Sequence, residues 1–138
     1  MTVPDAEAVA VNCIVARNDH EAEALDRVLR ERRRQEELRA GGKFDHTCSS
    51  PFGLTNVVRL AVLHEECGEL AQEVLDLEVH PISDYADDPT AKARAEQQAK
   101  RRALIRRRMR DELTQVAAVA VAWLEGLEAE DAAGGGDA

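Results

Sequence analysis

Apolar residues recur at three- and four-residue spacing in three stretches of the chain, separated by runs that contain helix-breaking residues. The first stretch predicts a helix that begins at Asn18 or Asp19, either of which can act as an N-cap, and ends at Gly41. The second predicts a helix that begins after Thr55, another good N-cap. Since alanine, leucine, glutamate and arginine dominate the composition, an all-α helical bundle is expected.

The third predicted helix begins at Asp88 and Pro89, which suit the N-cap and N1 positions, and its pattern can be followed to about Leu127. Its length predicts a break or bend. A chain of 138 residues accommodates one domain. The predicted organisation is an N-terminal extension (1–17), an all-α domain (18–128) with a long connector (78–100), and a disordered acidic, glycine-rich tail (129–138).

Acidic residues lie beside the apolar pattern of the second helix. Glu65, Glu66 and Glu69 lie within about one turn beside an apolar seam. Like charges at this spacing destabilise a helix by about 0.2–0.5 kcal/mol per pair, so their grouping favours a function such as binding a divalent cation. The predicted seam consists of Leu60, Leu63, Cys67, Leu70, Val74 and Leu77.

A further carboxylate is predicted to point inward from the third helix. Glu112 occupies one position of an otherwise apolar stripe, and a carboxylate there is costly unless it is paired or bound to a metal. Carboxylate-metal sites are built where helices of a bundle face each other, and Mg²⁺ prefers such oxygen ligands. The stripe consists of Ile105, Met109, Glu112, Val116, Val119 and Trp123.

Charge and cysteine content narrow the possible partners and the possible cellular compartment. The chain has 27 acidic and 18 basic residues, a net charge of −9, which argues against nucleic acid or an anionic membrane as the main partner. The basic run from Arg101 to Arg110 is interpreted as a solvated helix face. The three cysteines lack CxxC spacing and no apolar stretch approaches membrane-spanning length, so a soluble cytoplasmic protein is expected.

The acidic motifs carry a family resemblance. Glu65-Glu66-x-x-Glu69 on one helix, followed by Glu112-x-x-Gln115 on the next, resembles the EExxE…ExxD signature of the MazG-like all-α nucleoside triphosphate pyrophosphohydrolases. The resemblance extends over about residues 31–127, because the segment from Glu31 through Gln35 to Gly42-Lys43-Phe44 is also similar to phage and actinobacterial members. It implies a four-helix-bundle type of fold that is completed by oligomerisation, as a homodimer or a dimer of dimers.

The resemblance also implies a reaction, the hydrolysis of a (deoxy)nucleoside triphosphate to the monophosphate and diphosphate, in control of the nucleotide pool. Mg²⁺, for which Mn²⁺ can substitute, would be held by Glu66, Glu69, Glu112 and Gln115. Glu65, which is left free of ligation, is the expected general base.

Further residues are assigned to the substrate and to the surroundings of the metal. Lys43, Gln35 and Arg59 are the expected substrate contacts, because no P-loop is present to bind phosphate. Glu73 and Asp111 are expected beside the metal ligands.

One departure from the family pattern leaves an alternative open. The final Asp of the signature is Gln115 here, so a ligand loses its charge, and Asp111 one turn earlier is the alternative acid. A non-catalytic helical interaction protein, a degenerate relative, is therefore the competing hypothesis. The sequence leaves base and sugar preference, and the choice between dimer and tetramer, open.

Overall fold

The computed structural model describes residues 16–43, 47–50, 54–79 and 90–134. These residues are all-α, as the sequence predicts, and they contain no strand. The helices are α1 (Asp19–Ala40), α2 (Asn56–Val79) and α3 (Ala91–Gly134). None of the three has a stretch apolar and long enough to span a bilayer.

Both ends of α1 are formed by local hydrogen bonds. Asn18 is extended, and its Oδ1 accepts from the Glu21 N–H at 3.0 Å, so the predicted N-cap is confirmed. At the other end the left-handed residue is Gly42, with φ of 77°, one position after Gly41. The following N–H, of Lys43, donates to the Leu38 carbonyl at 3.0 Å and closes the helix.

The start of α2 also agrees with the prediction. Oγ1 of Thr55 accepts from the Val58 N–H at 3.3 Å, and the Thr55 carbonyl accepts from the Arg59 N–H at 3.1 Å. Thr55 is therefore the N-cap of α2, which places Glu66 and Glu69 in the middle of the helix.

The third helix is longer than the sequence predicts. It runs without interruption for 44 residues and ends at Gly134, so the expected break is absent and part of the predicted disordered tail is helical. Residues 1–15 and part of the predicted connector, residues 80–89 with Asp88 and Pro89, lie outside the described residues. Of the rest of the connector, residues 78–79 belong to α2 and residues 91–100 form the first turns of α3.

The third helix is the centre of the packing, because both α1 and α2 pack against it. A small core forms where Cys48 meets Val119 and Ala122 of α3, with Val62, Leu63 and Trp123 packed around it. Ile105 and Val119 of the predicted stripe are buried, and its other members are half-buried. The prediction that this stripe faces inward is thus correct.

Much of α2 remains uncovered. Of the predicted seam, Leu60 and Val74 are 56% and 40% exposed and Cys67 is exposed as well, so the prediction of a continuous buried seam is wrong for the single chain. The reason is that α3 covers only one side of α2. We call the open side the exposed α2 face; its residues are Val57, Leu60, Ala61, Cys67, Ala71 and Leu75.

Two buried arginines join the helices. Arg32 of α1 donates from Nη2 to Glu125 of α3 at 2.7 Å. Arg59 of α2, only 1% exposed, donates from Nη2 to Glu130 of α3 at 2.7 Å and to the Ser50 carbonyl at 2.9 Å. A buried guanidinium is unfavourable without a partner, so both pairs stabilise the fold. They attach the C-terminal turns of α3 to α1 and to α2.

Candidate metal centre and adjoining cavity

Three carboxylates from two helices meet at the α2–α3 interface. Glu66 and Glu69 lie one turn apart on α2, and Glu112 faces them from α3. Each offers a carboxylate oxygen, and these three oxygens lie within 4.8 Å of one another. Glu66 and Glu112 are half-buried, whereas Glu69 is exposed, so the group is open to solvent on one side. Three of the four predicted metal ligands are thus adjacent in space.

Burial and neighbouring charges disfavour the ionisation of Glu66 and Glu112. The pKa of Glu66 is raised above its ordinary value. Burial has the largest effect, and the charges of Glu69 and Glu112 come next. Burial, followed by the charges of Glu69 and Glu73, raises the pKa of Glu112, and Asp111 adds a weaker effect. A bound cation would remove both costs, because it neutralises the repulsion and replaces lost hydration.

The donor set fits a hard divalent cation. Carboxylate oxygens are the ligands that Mg²⁺ and Mn²⁺ accept, and the open side leaves room for the water molecules that Mg²⁺ retains. Next to the cluster, Oε2 of Glu73 is buried and has no hydrogen-bond partner within the described parts of the chain. An orphaned buried carboxylate oxygen is unfavourable, and a cation or its water shell would satisfy it.

Gln115, the fourth predicted ligand, is engaged with α1. Its Oε1 accepts from Nε2 of Gln35 at 3.4 Å, and its side chain also hydrogen-bonds to the carboxylate of Glu31. The amide oxygen that a metal would require therefore already has a partner on α1. Gln115 joins the acidic cluster of α2 and α3 to a polar face of α1 that contains Glu31, Arg34 and Gln35.

Gln35 acts within this network. Nη1 of the buried Arg32 donates to its Oε1 at 2.7 Å, which fixes the orientation of the amide. Its Nε2 then donates to Glu31 at 3.3 Å and to Gln115 at 3.4 Å. Both polar ends of Gln35 are thus used by the protein itself, and its geometry suits positioning of Glu31 and Gln115.

A cavity of about 330 Å³ adjoins the acidic cluster. It lies between α1, α2 and α3, and Thr47, Cys48 and Leu54 from the connection between α1 and α2 also line it. Its polar lining comes from all three helices and from Thr47 before α2, namely Arg34, Gln35, Thr47, Glu66 and Gln115. The rest of the wall is apolar, formed by Cys48, Leu54, Val62, Val119 and Ala122. Apolar walls with a few convergent polar groups are typical of a site for a small organic ligand.

Residues 47–50, two of which line this cavity, are tied to α1 by Glu36. Its carboxylate accepts from Oγ of Ser49 at 2.6 Å, from Oγ1 of Thr47 at 3.0 Å and from Arg32 at 2.8 Å. Burial opposes ionisation of Glu36, but hydrogen bonds from Ser49, Arg39, Arg32 and Thr47 outweigh it and lower its pKa to about 2. Glu36 therefore holds the cavity wall in place.

The other predicted residues lie around the cluster. Glu65, the predicted base, is exposed beside Glu66 on α2 and is not one of the three clustered carboxylates. Asp111 is exposed and lines an opening between α1 and α3 together with Gln115. Lys43 is exposed just after α1, and it is not among the residues that line the cavity.

The prediction that Arg59 contacts the substrate is corrected by its burial. Its side chain is 1% exposed, and its guanidinium donates to Glu130, Ser50 and, at 3.0 Å, Oδ1 of Asn56. The same Asn56 oxygen accepts from Nε1 of Trp123 at 3.1 Å. Arg59 thus has a structural role at the junction of α2 and α3.

Sequence reasoning did not assign a role to Arg34 and noted Glu31 only as part of a similar segment. The available signal was local: Glu31, Arg34 and Gln35 have i, i+3 and i+4 spacing, which places them on one face of α1. The sequence offers no means of knowing that this face meets Gln115.

The comparisons with known proteins do not identify a relative. No protein-family model matches the sequence, and comparisons with curated proteins and with solved structures found no significant match.

Proposed function

We propose that the chain is a Mg²⁺-dependent nucleoside triphosphate pyrophosphohydrolase that converts a (deoxy)nucleoside triphosphate to the monophosphate and diphosphate. The observation that carries this proposal is the meeting of Glu66, Glu69 and Glu112 within 4.8 Å of one another. An adjoining cavity with apolar walls could accept a nucleobase. The motif resemblance described above supports the same reaction, and nucleotide-pool control in the cytoplasm is the setting that we propose.

The proposed roles follow from position and chemistry. A bound Mg²⁺ supplies neutralisation of phosphate charge and polarisation of the phosphorus under attack. Glu66, Glu69 and Glu112 would hold the ion. Glu65, exposed and adjacent to Glu66, would orient the attacking water and accept its proton. Because Gln115 hydrogen-bonds to Gln35 and Glu31 of α1, we assign it a positioning role: it holds these two side chains next to the metal centre.

Oligomerisation is part of the proposal. The exposed α2 face includes Val57 at 76%, Leu60 at 56% and Leu75 at 58% exposure. These residues lie along one side of the helix, so their exposed apolar side chains suit packing against a second copy of the chain. We therefore propose a homodimer, able to pair into a dimer of dimers, in which this face completes the bundle.

A non-catalytic interaction protein is the second candidate. The observation that favours it is the hydrogen bond from Gln35 to Oε1 of Gln115, which occupies the neutral side chain found where the family signature has an acid. On this hypothesis the helices and the exposed α2 face persist, and the acidic cluster no longer supports turnover.

The experiment that separates the two candidates is diphosphate release from a panel of canonical and modified nucleoside triphosphates, with Mg²⁺ or Mn²⁺. The wild type is compared with Glu69→Gln, Glu112→Gln and the control Glu78→Gln, which changes an exposed carboxylate on another side of α2. Release by wild type and Glu78→Gln, but not by the two cluster variants, supports the enzyme. Absence of release by the wild type across the panel contradicts it.

A further inference from the structure

Arg34 lies where two openings meet. It lines the cavity of about 330 Å³ that contains Glu66, and it also lines a depression of about 390 Å³ between α1 and α3 that contains Glu31 and Asp111. Gln115 is the other side chain shared by both openings. A ligand that extends from the cavity beside Glu66 into this depression would therefore pass Arg34.

The guanidinium of Arg34 is held in a fixed orientation. Its Nε and Nη2 donate to the two carboxylate oxygens of Glu31 at 2.8 and 2.7 Å, a bidentate arrangement. The Glu31 side chain is 11% exposed, and it also accepts from Gln35 and Gln115. Glu31 is thus a rigid anchor, while Arg34 remains 56% exposed with Nη1 not used by this pair.

The negative charge around the cavity favours a phosphate-binding role for Arg34. The chain carries a net charge of −9, and the carboxylate of Glu66 lines the cavity. Both charges repel an anionic phosphate chain that enters it. Arg34 is the cationic side chain among the residues that line this cavity. A planar guanidinium is well suited to phosphate oxygens, because it combines charge with directed N–H donors.

Other cations near the site are less suited. Arg32 and Arg59 are buried and are engaged with Glu125 and Glu130. Arg27 and Arg30 line the depression but not the cavity that contains Glu66. We infer that Arg34, anchored by Glu31, binds the phosphate chain of the substrate; this inference rests on the proposed function.

The test compares Arg34→Gln with Arg33→Gln. Arg33 is exposed, is adjacent in sequence and lines neither opening. Its replacement by Gln changes the net charge by the same amount as Arg34→Gln, which makes it a matched control. Calorimetric titration measures binding of inorganic tripolyphosphate and of a non-hydrolysable nucleoside triphosphate, each with Mg²⁺. We expect Arg34→Gln to weaken both by about tenfold or more, and Arg33→Gln to bind within about twofold of the wild type. Circular dichroism verifies that both variants fold.

A further variant and the steady-state kinetics refine the assignment. Arg34→Lys retains charge but loses the fork, so intermediate binding is expected. In the hydrolysis assay, Arg34→Gln should lower kcat/KM by about tenfold or more, while Arg33→Gln leaves it unchanged within about twofold.

The outcomes separate this inference from the proposed function. If the wild type hydrolyses triphosphates and Arg34→Gln binds tripolyphosphate as tightly as the wild type, the role of Arg34 is refuted and the enzyme stands. If the wild type hydrolyses nothing but its binding of tripolyphosphate depends on Arg34, the phosphate site stands and the reaction is refuted. If the wild type binds no tripolyphosphate, the inference is refuted as well.

Discussion

Gly126 of α3 lies directly against the guanidinium of Arg59. A Cβ at position 126 would be 2.7 Å from Nη2 of Arg59 and 2.8 Å from the backbone carbonyl of Cys48. Arg59 has little freedom to move away, because its other partners are Glu130 and Ser50. The close approach of α3 to Cys48 and to Arg59 of α2 thus requires glycine at position 126.

Gly126→Ala is expected to lower the free energy of unfolding by about 1–3 kcal/mol, since the added methyl group overpacks this contact. Chemical denaturation monitored by circular dichroism provides the measurement. Gly134→Ala is the control, because a Cβ there meets no atom within 4 Å, and it should change stability by less than about 0.5 kcal/mol. Equal stability of Gly126→Ala and the wild type would contradict the packing described here.

Glu130→Ala should destabilise the fold by about 3 kcal/mol, because it leaves Arg59 buried without its carboxylate. Glu128→Ala removes an exposed acid two positions earlier and serves as the matched control. Urea denaturation of both variants measures the difference. If the two variants unfold at the same urea concentration, Glu130 is not the partner that holds the end of α3.

Mg²⁺ is expected to raise the melting temperature of the wild type by several degrees at saturating concentration, since only the folded chain brings the three carboxylates together. Glu112→Gln should weaken Mg²⁺ binding at least about tenfold, and Glu78→Gln should have no effect. Differential scanning calorimetry with Mg²⁺ and with EDTA provides the comparison.

The same variant should behave differently without metal. Because the pKa of Glu112 is raised in the folded state, its contribution favours folding below the ordinary carboxylate pKa and is lost as pH rises through the raised value. In EDTA at pH 7, Glu112→Gln should therefore melt at or above the temperature of the wild type. A clearly lower melting temperature would show that Glu112 stabilises the metal-free fold.

Glu36 is expected to produce the opposite pH dependence. Its pKa is lowered to about 2 in the folded state, so its stabilisation is present above the ordinary carboxylate pKa and is lost as pH falls through about 2. The side chain is 34% exposed, so solvent screening reduces the expected contribution to about 1–2 kcal/mol. The gap in unfolding free energy between the wild type and Glu36→Gln should shrink between about pH 4.5 and 2. A gap that does not change with pH would refute this role.

The exposed α2 face yields a prediction about assembly. Sedimentation velocity should show a wild-type dimer or tetramer, and the double variant Leu60→Glu, Leu75→Glu should be a helical monomer. Leu29→Glu, at a 52% exposed position on α1, is the control and should retain the assembly. A monomeric wild type at micromolar concentration would contradict the proposed oligomer.

Local signals in the sequence were sufficient for the starts of α1 and α2 and for the inward position of Glu112. The N-caps Asn18 and Thr55 act through hydrogen bonds within three residues, so they can be read from sequence alone. Glu112 was predictable because helical periodicity determines which residues share a face, and the adjacent apolar positions of α3 do face inward.

Contacts between distant residues were not predictable in this way. The burial of Arg59 depends on Glu130, 71 positions later, and the glycine-rich composition after Glu130 gave the opposite impression of a disordered tail. Periodicity likewise predicted the apolar side of α2 but not how much of it α3 would cover. The hydrogen bond between Gln35 and Gln115 spans 80 positions and has no local signature.

The long separation within the buried pairs has a consequence for the order of events during synthesis. Arg32 meets Glu125 across 93 positions, and Arg59 meets Glu130 across 71. Until these two carboxylates have left the ribosome, Arg32 has only its partners on α1 and Arg59 has no carboxylate partner among the described residues, so burial of either guanidinium is less favourable. A nascent chain should therefore form α1 and α2 as separate, loosely associated helices. Closure of the cavity and assembly of the acidic cluster would follow as one late step, when α3 is complete.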